Sequence, residues 1–158
     1  MYKRQEISPA TTLDLSYEHA DHERFIDRGV PTLNGEPVEA FEDIVFGDTD
    51  TNLQTLRADI YRANLSHEFS ETSKGNLVIQ YSDFQKLYKN YYASGYSGGD
   101  TFTADGYLDP TERNNLILSG NVVNEFQTGS VKHTLLVGAE IIDTENENYR
   151  YNTFFITT

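Results

Sequence analysis

The stretch Tyr61-Arg62-Ala63-Asn64-Leu65-Ser66-His67-Glu68-Phe69 places Tyr, Ala, Leu, His and Phe on its odd positions and Arg, Asn, Ser and Glu on its even ones. Successive side chains of a strand point to opposite faces, so the division reads as a β-strand with one apolar and one polar side. A helical period fits none of it. The division recurs at Leu77, Ile79 and Tyr81 against Gln80 and Ser82, and at Leu116, Leu118, Gly120, Val122 and Phe126 against Ser119, Asn121 and Glu125. Leu13, Leu15 and Tyr17 oppose Asp14, Ser16 and Glu18, and Leu135, Val137, Ala139 and Ile141 oppose Thr134, Gly138 and Glu140. These runs predict an all-β chain, an antiparallel meander of about five strands.

The predicted connections alternate in length. Ser70-Glu71-Thr72-Ser73-Lys74-Gly75 and Thr128-Gly129-Ser130 are hairpin-sized. Residues 20–55 form a long stretch with Asp27-Arg28-Gly29-Val30-Pro31, Asn34-Gly35-Glu36-Pro37 and Gly47-Asp48-Thr49-Asp50. Residues 88–110 form another, with Tyr88, Tyr91, Tyr92, Tyr96, Gly95, Gly98, Gly99 and Asp105-Gly106. Antiparallel strands reverse direction, so alternation gathers the long loops at one end and the short turns at the other. In outer-membrane barrels those ends are extracellular and periplasmic.

Phe69 and Phe126 precede short turns, while Tyr61 and Tyr81 lie toward the long loops, as two interfacial girdles require. At about 3.3 Å per residue and a tilt near 40°, Tyr61 and Phe69 are separated by roughly 20 Å along the membrane normal. The apolar band of such barrels is about 25 Å tall. An amphipathic meander also builds a soluble ligand-binding barrel or sandwich around a private core, and a small non-transporting outer-membrane barrel is a further alternative. Unequal connections and aromatic placement favour a wall segment of a membrane barrel.

Composition narrows the function classes. With 25 acidic against 12 basic residues and a net charge of -13, the 158-residue chain lacks the Lys and Arg excess that phosphate contacts demand, so no nucleic-acid partner is expected. The absence of Cys excludes a disulfide framework, thiolate-held zinc and thiol catalysis. No run approaches the roughly 18 apolar residues of a transmembrane helix, and the mean hydropathy of -0.57 is what a barrel with polar loops gives. Residues 1–8 carry Tyr2, Lys3, Arg4 and Gln5 without an apolar run, so they are no signal peptide. Export requires one, and an internal fragment is therefore expected.

Asp27-Arg28-Gly29-Val30-Pro31 followed by Asn34-Gly35-Glu36-Pro37-Val38 resembles a barrel-loop stretch of the TonB-dependent siderophore receptors. Gly47-Asp48, Leu65-Ser66-His67-Glu68-Phe69-Ser70 and the run from Gly129-Ser130-Val131-Lys132-His133 to Glu140 resemble further stretches of that family, in the same order. The resemblance spans nearly the whole chain. It implies a segment of a 22-stranded outer-membrane β-barrel, so that residues 1–158 are a partial barrel domain without plug or TonB box. It further implies a ferric siderophore as transported ligand, TonB as partner through the missing plug domain, outer-membrane lipid around the strands, and the bacterial outer membrane as location. No catalysis and no resident cofactor are expected.

Tyr88, Tyr91, Tyr92 and Tyr96 are the candidate ligand contacts, because a ferric chelate is held by aromatic faces and hydroxyls at a partly wet surface. Their plainer role is an interface belt or loop packing. Arg28 is the candidate partner for an anionic ligand or plug carboxylates, or else a surface Arg in an ordered turn. Arg62, Asn64, Ser66 and Glu68 are the expected lumen-facing row, or a solvated wall. Asp48, Asp50 and Asn52 have calcium-loop spacing, but Leu53 stands where Gly is needed and no Glu follows at the twelfth position, so calcium is discounted. His19 and His22 around Asp21 offer no clear third ligand, and no metal is expected. Scattered histidines, with Ser130 near His133 at a turn, define no nucleophile and base.

Overall fold

The computed structural model describes residues 1–48 and 50–153; Thr49 of the Gly47–Asp50 cluster lies outside them. It is all-β, with a large antiparallel sheet of seven strands. The strands are β1 (Tyr2–Ser8), β2 (Thr11–Phe25), β3 (Thr32–Leu33), β4 (Glu36–Pro37), β5 (Leu53–Ser70), β6 (Ser73–Tyr96), β7 (Phe102–Thr128), β8 (Val131–Asn148) and β9 (Tyr151–Thr153). The main sheet runs β1-β2-β5-β6-β7-β8, with β9 also paired to β7, and β3 and β4 form a separate pair.

The architecture agrees with the meander expected, but the strand count does not. The expected five are β2, β5, β6, β7 and β8; β1 and β9 bring the sheet to seven. β1 has no apolar alternation to betray it. It is held against β2 in a register running from Tyr2↔Ser16 to Ser8↔Thr11, and Asp14 accepts hydrogen bonds from Tyr2 Oη at 2.6 Å and Arg4 Nε at 2.7 Å. β9 is three residues long, too short for a periodic signal.

The connections also differ from expectation. Residues 88–110 are not one long loop: β6 continues to Tyr96 and β7 resumes at Phe102, so they run to 24 and 27 residues. Asp105-Gly106 reads as a turn in sequence, yet Gly106 is paired with Thr153 inside the sheet. A Cβ there would lie 2.5 Å from the Tyr91 ring, so the glycine serves close approach rather than reversal. Residues 20–55 are likewise not an unbroken loop. They include the end of β2, the β3–β4 hairpin, a 3-10 turn over Glu39–Phe41 and the start of β5. Asn34 (φ 55) and Gly35 (φ 90) make the two-residue turn between β3 and β4, the left-handed pair of a type I′ hairpin.

Contacts divide the chain into two compact units. The first is Met1–Ala20, Ala58–Phe84 and Arg113–Asn146. It holds the two-residue connections at 9–10, 71–72 and 129–130. One of its faces is apolar: Leu65, Phe69, Leu77, Val122, Val137 and Ala139 line one shallow depression, and Leu15, Tyr17, Tyr61, Ala63, Ile79 and Tyr81 line another. These side chains are not covered. Leu77 is 50% exposed, Val137 61% and Ile141 67%, whereas Ala58 is the buried hydrophobic of this unit among the described residues.

The second unit comprises Asp21–Arg57, Gln85–Glu112 and the chain from Glu147. Here Phe46 is buried, meeting Phe102 edge-on at 4.9 Å and Phe41 at 5.7 Å, and Phe41 meets Tyr96 at 5.3 Å. Perpendicular rings at these spacings are the favoured quadrupole arrangement. Asn52, with no exposed surface, accepts a hydrogen bond from the Tyr91 N–H and donates its amide to the Tyr91 carbonyl, both at 2.8 Å. The side chain thus takes the part of a neighbouring strand's backbone, docking the segment before β5 onto β6.

Candidate functional site

The second unit assembles a cluster of tyrosines and cations. In Asp27-Arg28-Gly29 the Gly29 N–H donates to the Asp27 carboxylate at 2.9 Å, closing a small turn that presents Arg28. Arg28 Nη1 donates to the Tyr107 hydroxyl at 2.6 Å, and its guanidinium carbon lies 5.0 Å from the Tyr92 ring centre and 5.7 Å from that of Tyr107. Tyr92 and Tyr107 meet edge-on at 6.2 Å. A guanidinium held over two rings gains from both quadrupoles while keeping other N–H groups for an anion.

Arg150 adds a second cation, 5.1 Å from the Tyr107 ring centre. It grips Asp109 bidentately, Nε to Oδ1 at 2.8 Å and Nη2 to Oδ2 at 2.5 Å, the matched fork geometry of the pair. The hydrogen bonds from Arg150 hold the Asp109 carboxyl below its ordinary pKa, with partial desolvation opposing and the charges of Arg150 and Lys86 assisting. The same bonds raise the Arg150 guanidinium above its usual value. Lys86 Nζ lies 5.5 Å from the Tyr88 ring centre. Lys86, Tyr88, Tyr107, Asp109, Tyr149 and Arg150, with Thr111 and Asn148, surround a recess of about 500 Å³.

The structure brings Arg28, Tyr88 and Tyr92 into this cluster and gives Tyr91 and Tyr96 packing duties. The Tyr91 backbone is clasped by Asn52 and its ring lies against Gly106; Tyr96 packs on Phe41 and donates its hydroxyl to the Gly99 carbonyl at 2.9 Å. All four tyrosines were expected in a loop. They stand instead in β6, which the structure carries through to Tyr96. Sequence reasoning missed Lys86, Tyr107, Asp109 and Arg150. The parity of Tyr107 and Asp109 on one strand was a usable signal once β7 reached that far, whereas Arg150 comes from beyond β8.

In the first unit the expected lumen row lies on the polar side. Arg62 donates to the Gln80 side-chain oxygen Oε1 through Nε at 2.8 Å and Nη2 at 2.5 Å, while Ser66 and Glu68 line a hollow of about 320 Å³ with Lys74, Asn76 and Asn121. The carboxamide oxygens of Asn64 and Asn76 are buried without a partner among the described residues. A polar ladder crosses three strands, Asn115 donating to Ser82 at 3.3 Å and Thr144 to Asn115 at 3.0 Å. On the apolar side Tyr17 stacks on Tyr61 at 4.9 Å and donates to Asp59 at 2.6 Å, and His19 also bonds Asp59 at 2.8 Å. Phe69 meets His67 edge-on at 4.8 Å and Phe126 stacks on His133 at 4.9 Å.

Several of the residues weighed as metal ligands are bonded elsewhere, His19 to Asp59 among them. Asp48 accepts a hydrogen bond from the Asp50 N–H at 2.9 Å, Asn52 is spent on Tyr91, and no group of three or more metal-competent side chains gathers among the described residues. In comparisons with known proteins, the chain matches no family model, no curated protein and no solved structure.

Proposed function

We propose that this chain is part of an outer-membrane receptor that binds ferric siderophores and imports them with energy from TonB, its sheet being a segment of a 22-stranded barrel. The observation that carries the reading is the first unit's uncovered apolar face, with Leu77, Ile79, Leu116, Leu118, Val137 and Ile141 all exposed. Its opposite face is tied by polar side chains, Arg62 to Gln80 and Ser82 to Asn115. Apolar surface of this extent in water is unfavourable by about 25 cal/mol per Å², and hydrocarbon removes that cost. A soluble barrel or sandwich requires a second layer over the same face, which no described element supplies.

The sheet order supports the segment reading, since β1 and β8 each have a single neighbour in it and a closed barrel has no such edges. The ordered sequence resemblances support the receptor class. In this account the first unit contributes membrane wall, the second contributes ligand-facing surface around Arg28, Tyr88 and Tyr92, and the protein acts in the bacterial outer membrane without catalysing a reaction. TonB engages such receptors through a plug domain, to which no residue of this chain is assigned.

Because the chain contains no Trp, its ultraviolet emission comes from its 11 tyrosines, Tyr88, Tyr92, Tyr107 and Tyr149 of the cluster among them, and the variants identify the cluster's share. Ferric hydroxamate and ferric catecholate siderophores titrated into the detergent-folded chain should give saturable quenching with at least one of them, weakened by Arg28→Ala and by Tyr92→Leu. Absence of saturable quenching with every chelate, or quenching identical in the variants, contradicts the proposal.

A further inference from the structure

We infer that the recess formed by Lys86, Tyr88, Tyr107, Asp109, Tyr149 and Arg150 binds a small planar aromatic monocarboxylate. The inference goes beyond the iron-transport reading, because it requires neither a metal nor a membrane.

Charge comes first. The chain is net -13, yet this recess contains two cations and one carboxylate. Arg150 spends two of its five N–H donors, and its charge, on Asp109. Lys86 lies near the Tyr88 ring and its charge also acts on Asp109, but it forms no ion pair among the described residues, so its ammonium is the cation of the site without a carboxylate bonded to it. An ammonium on a flexible stem meets a carboxylate as a compact point charge.

The walls then set the rest of the ligand. Tyr107 has its hydroxyl bonded by Arg28 and its ring attended by Arg28 and Arg150, which leaves Tyr88 and Tyr149 to offer ring surface. Tyr149 is 56% exposed, and its backbone N–H is anchored to the Pro110 carbonyl at 3.2 Å. An inorganic anion would leave these aromatic walls wet in about 500 Å³, whereas a ring stacked on them removes apolar surface from water. Asp109 stays ionised beside Arg150 and repels a second negative charge. The combination therefore selects one ring and one carboxylate. Thr111 and Asn148 supply polar groups at the rim.

The test is a titration of the full chain in detergent micelles with sodium benzoate, matched by benzamide, which keeps the ring without the charge, and by acetate, which keeps the charge without the ring. Iron-free buffer with a chelator present separates this result from ferric-chelate quenching, so either reading can fail alone. Benzoate is expected to bind saturably and about tenfold or more tightly than either analogue. Lys86→Met should weaken it by about tenfold while Lys86→Arg retains it. Equal response to the three probes, or full affinity in a folded Lys86→Met chain, overturns the inference. Should Lys86→Met fail to fold, shift mapping on the unmodified chain decides: perturbation at Tyr88 and Tyr149 supports the site, and perturbation elsewhere overturns it.

Discussion

The two units use aromatic residues in opposite ways. In the first, Tyr61, Tyr81, Phe69 and Phe126 stand exposed at the margins of a bare apolar face, and polar ladders hold the other side. In the second, Phe41, Phe46, Tyr96 and Phe102 pack on one another, and Tyr92 and Tyr107 engage Arg28. The contrast sets a face left bare against one packed on itself; under the proposed function the first suits a wall with lipid on one side, and the second, with its cation-aromatic contacts, suits a wet surface that holds a ligand.

The sharpest way to break the contrast is to place charge on each face of the first unit. Leu118→Arg, on the apolar face, is expected to cost about 2–4 kcal/mol in lipid-folded protein, whereas Ser119→Arg on the polar face should cost less than about 0.5 kcal/mol. Urea titration of the chain in bilayers measures both, and equal costs would remove the distinction between faces. In the second unit the largest effect falls on Asn52→Ala. It removes the two side-chain hydrogen bonds that Asn52 makes to the Tyr91 backbone, for about 1–3 kcal/mol, and amide-exchange protection should fall at residues 50–52 and 90–92 while the first unit is unchanged.

The smallest effect is electrostatic. Asp109 has its folded pKa depressed, so its contribution is present above the unfolded carboxylate value of about 3.9 and is lost as pH falls through the lower folded value. Lowering the pH from 7 to about 4.5 should therefore leave the Asp109–Arg150 pair intact, as followed by the Asp109 side-chain carbon shift. A midpoint at or above the ordinary carboxylate value would contradict the pairing. An exposed pair of this kind is worth at most about 1 kcal/mol, so Asp109→Asn should barely move global stability.

What the sequence made legible follows the same division. In β5, β6, β7 and β8 most side chains announce their face, with Val78, Ile117, Val123, Leu136 and Ile142 as exceptions, so alternation located the apolar surface at Leu65, Leu77, Leu118 and Val137. β1 escaped because Tyr2, Lys3, Arg4, Gln5 and Glu6 carry no such rhythm; it pairs through backbone and Asp14. In the second unit Gly95, Asp105-Gly106 and Pro110 argue locally for a loop, and tertiary pairing overrides them. Gly106 is required by the Tyr91 ring, a contact invisible to any local rule. Arg28 and Tyr92 were found because an Arg in a turn and a run of tyrosines are conspicuous. Arg150 was not, since its partners Tyr107 and Asp109 lie 43 and 41 residues away and the pairing of both β8 and β9 with β7 brings them together.

The proposed function requires the first unit's apolar face to meet lipid. A nitroxide placed singly at each residue from 116 to 122 in bilayer-folded protein, read by collision with oxygen and with a water-soluble nickel complex, tests it most directly. A two-residue period is expected, with oxygen access high at 116, 118, 120 and 122 and nickel access high at 117, 119 and 121. Uniform nickel access at all seven positions, or oxygen access without alternation, would contradict it.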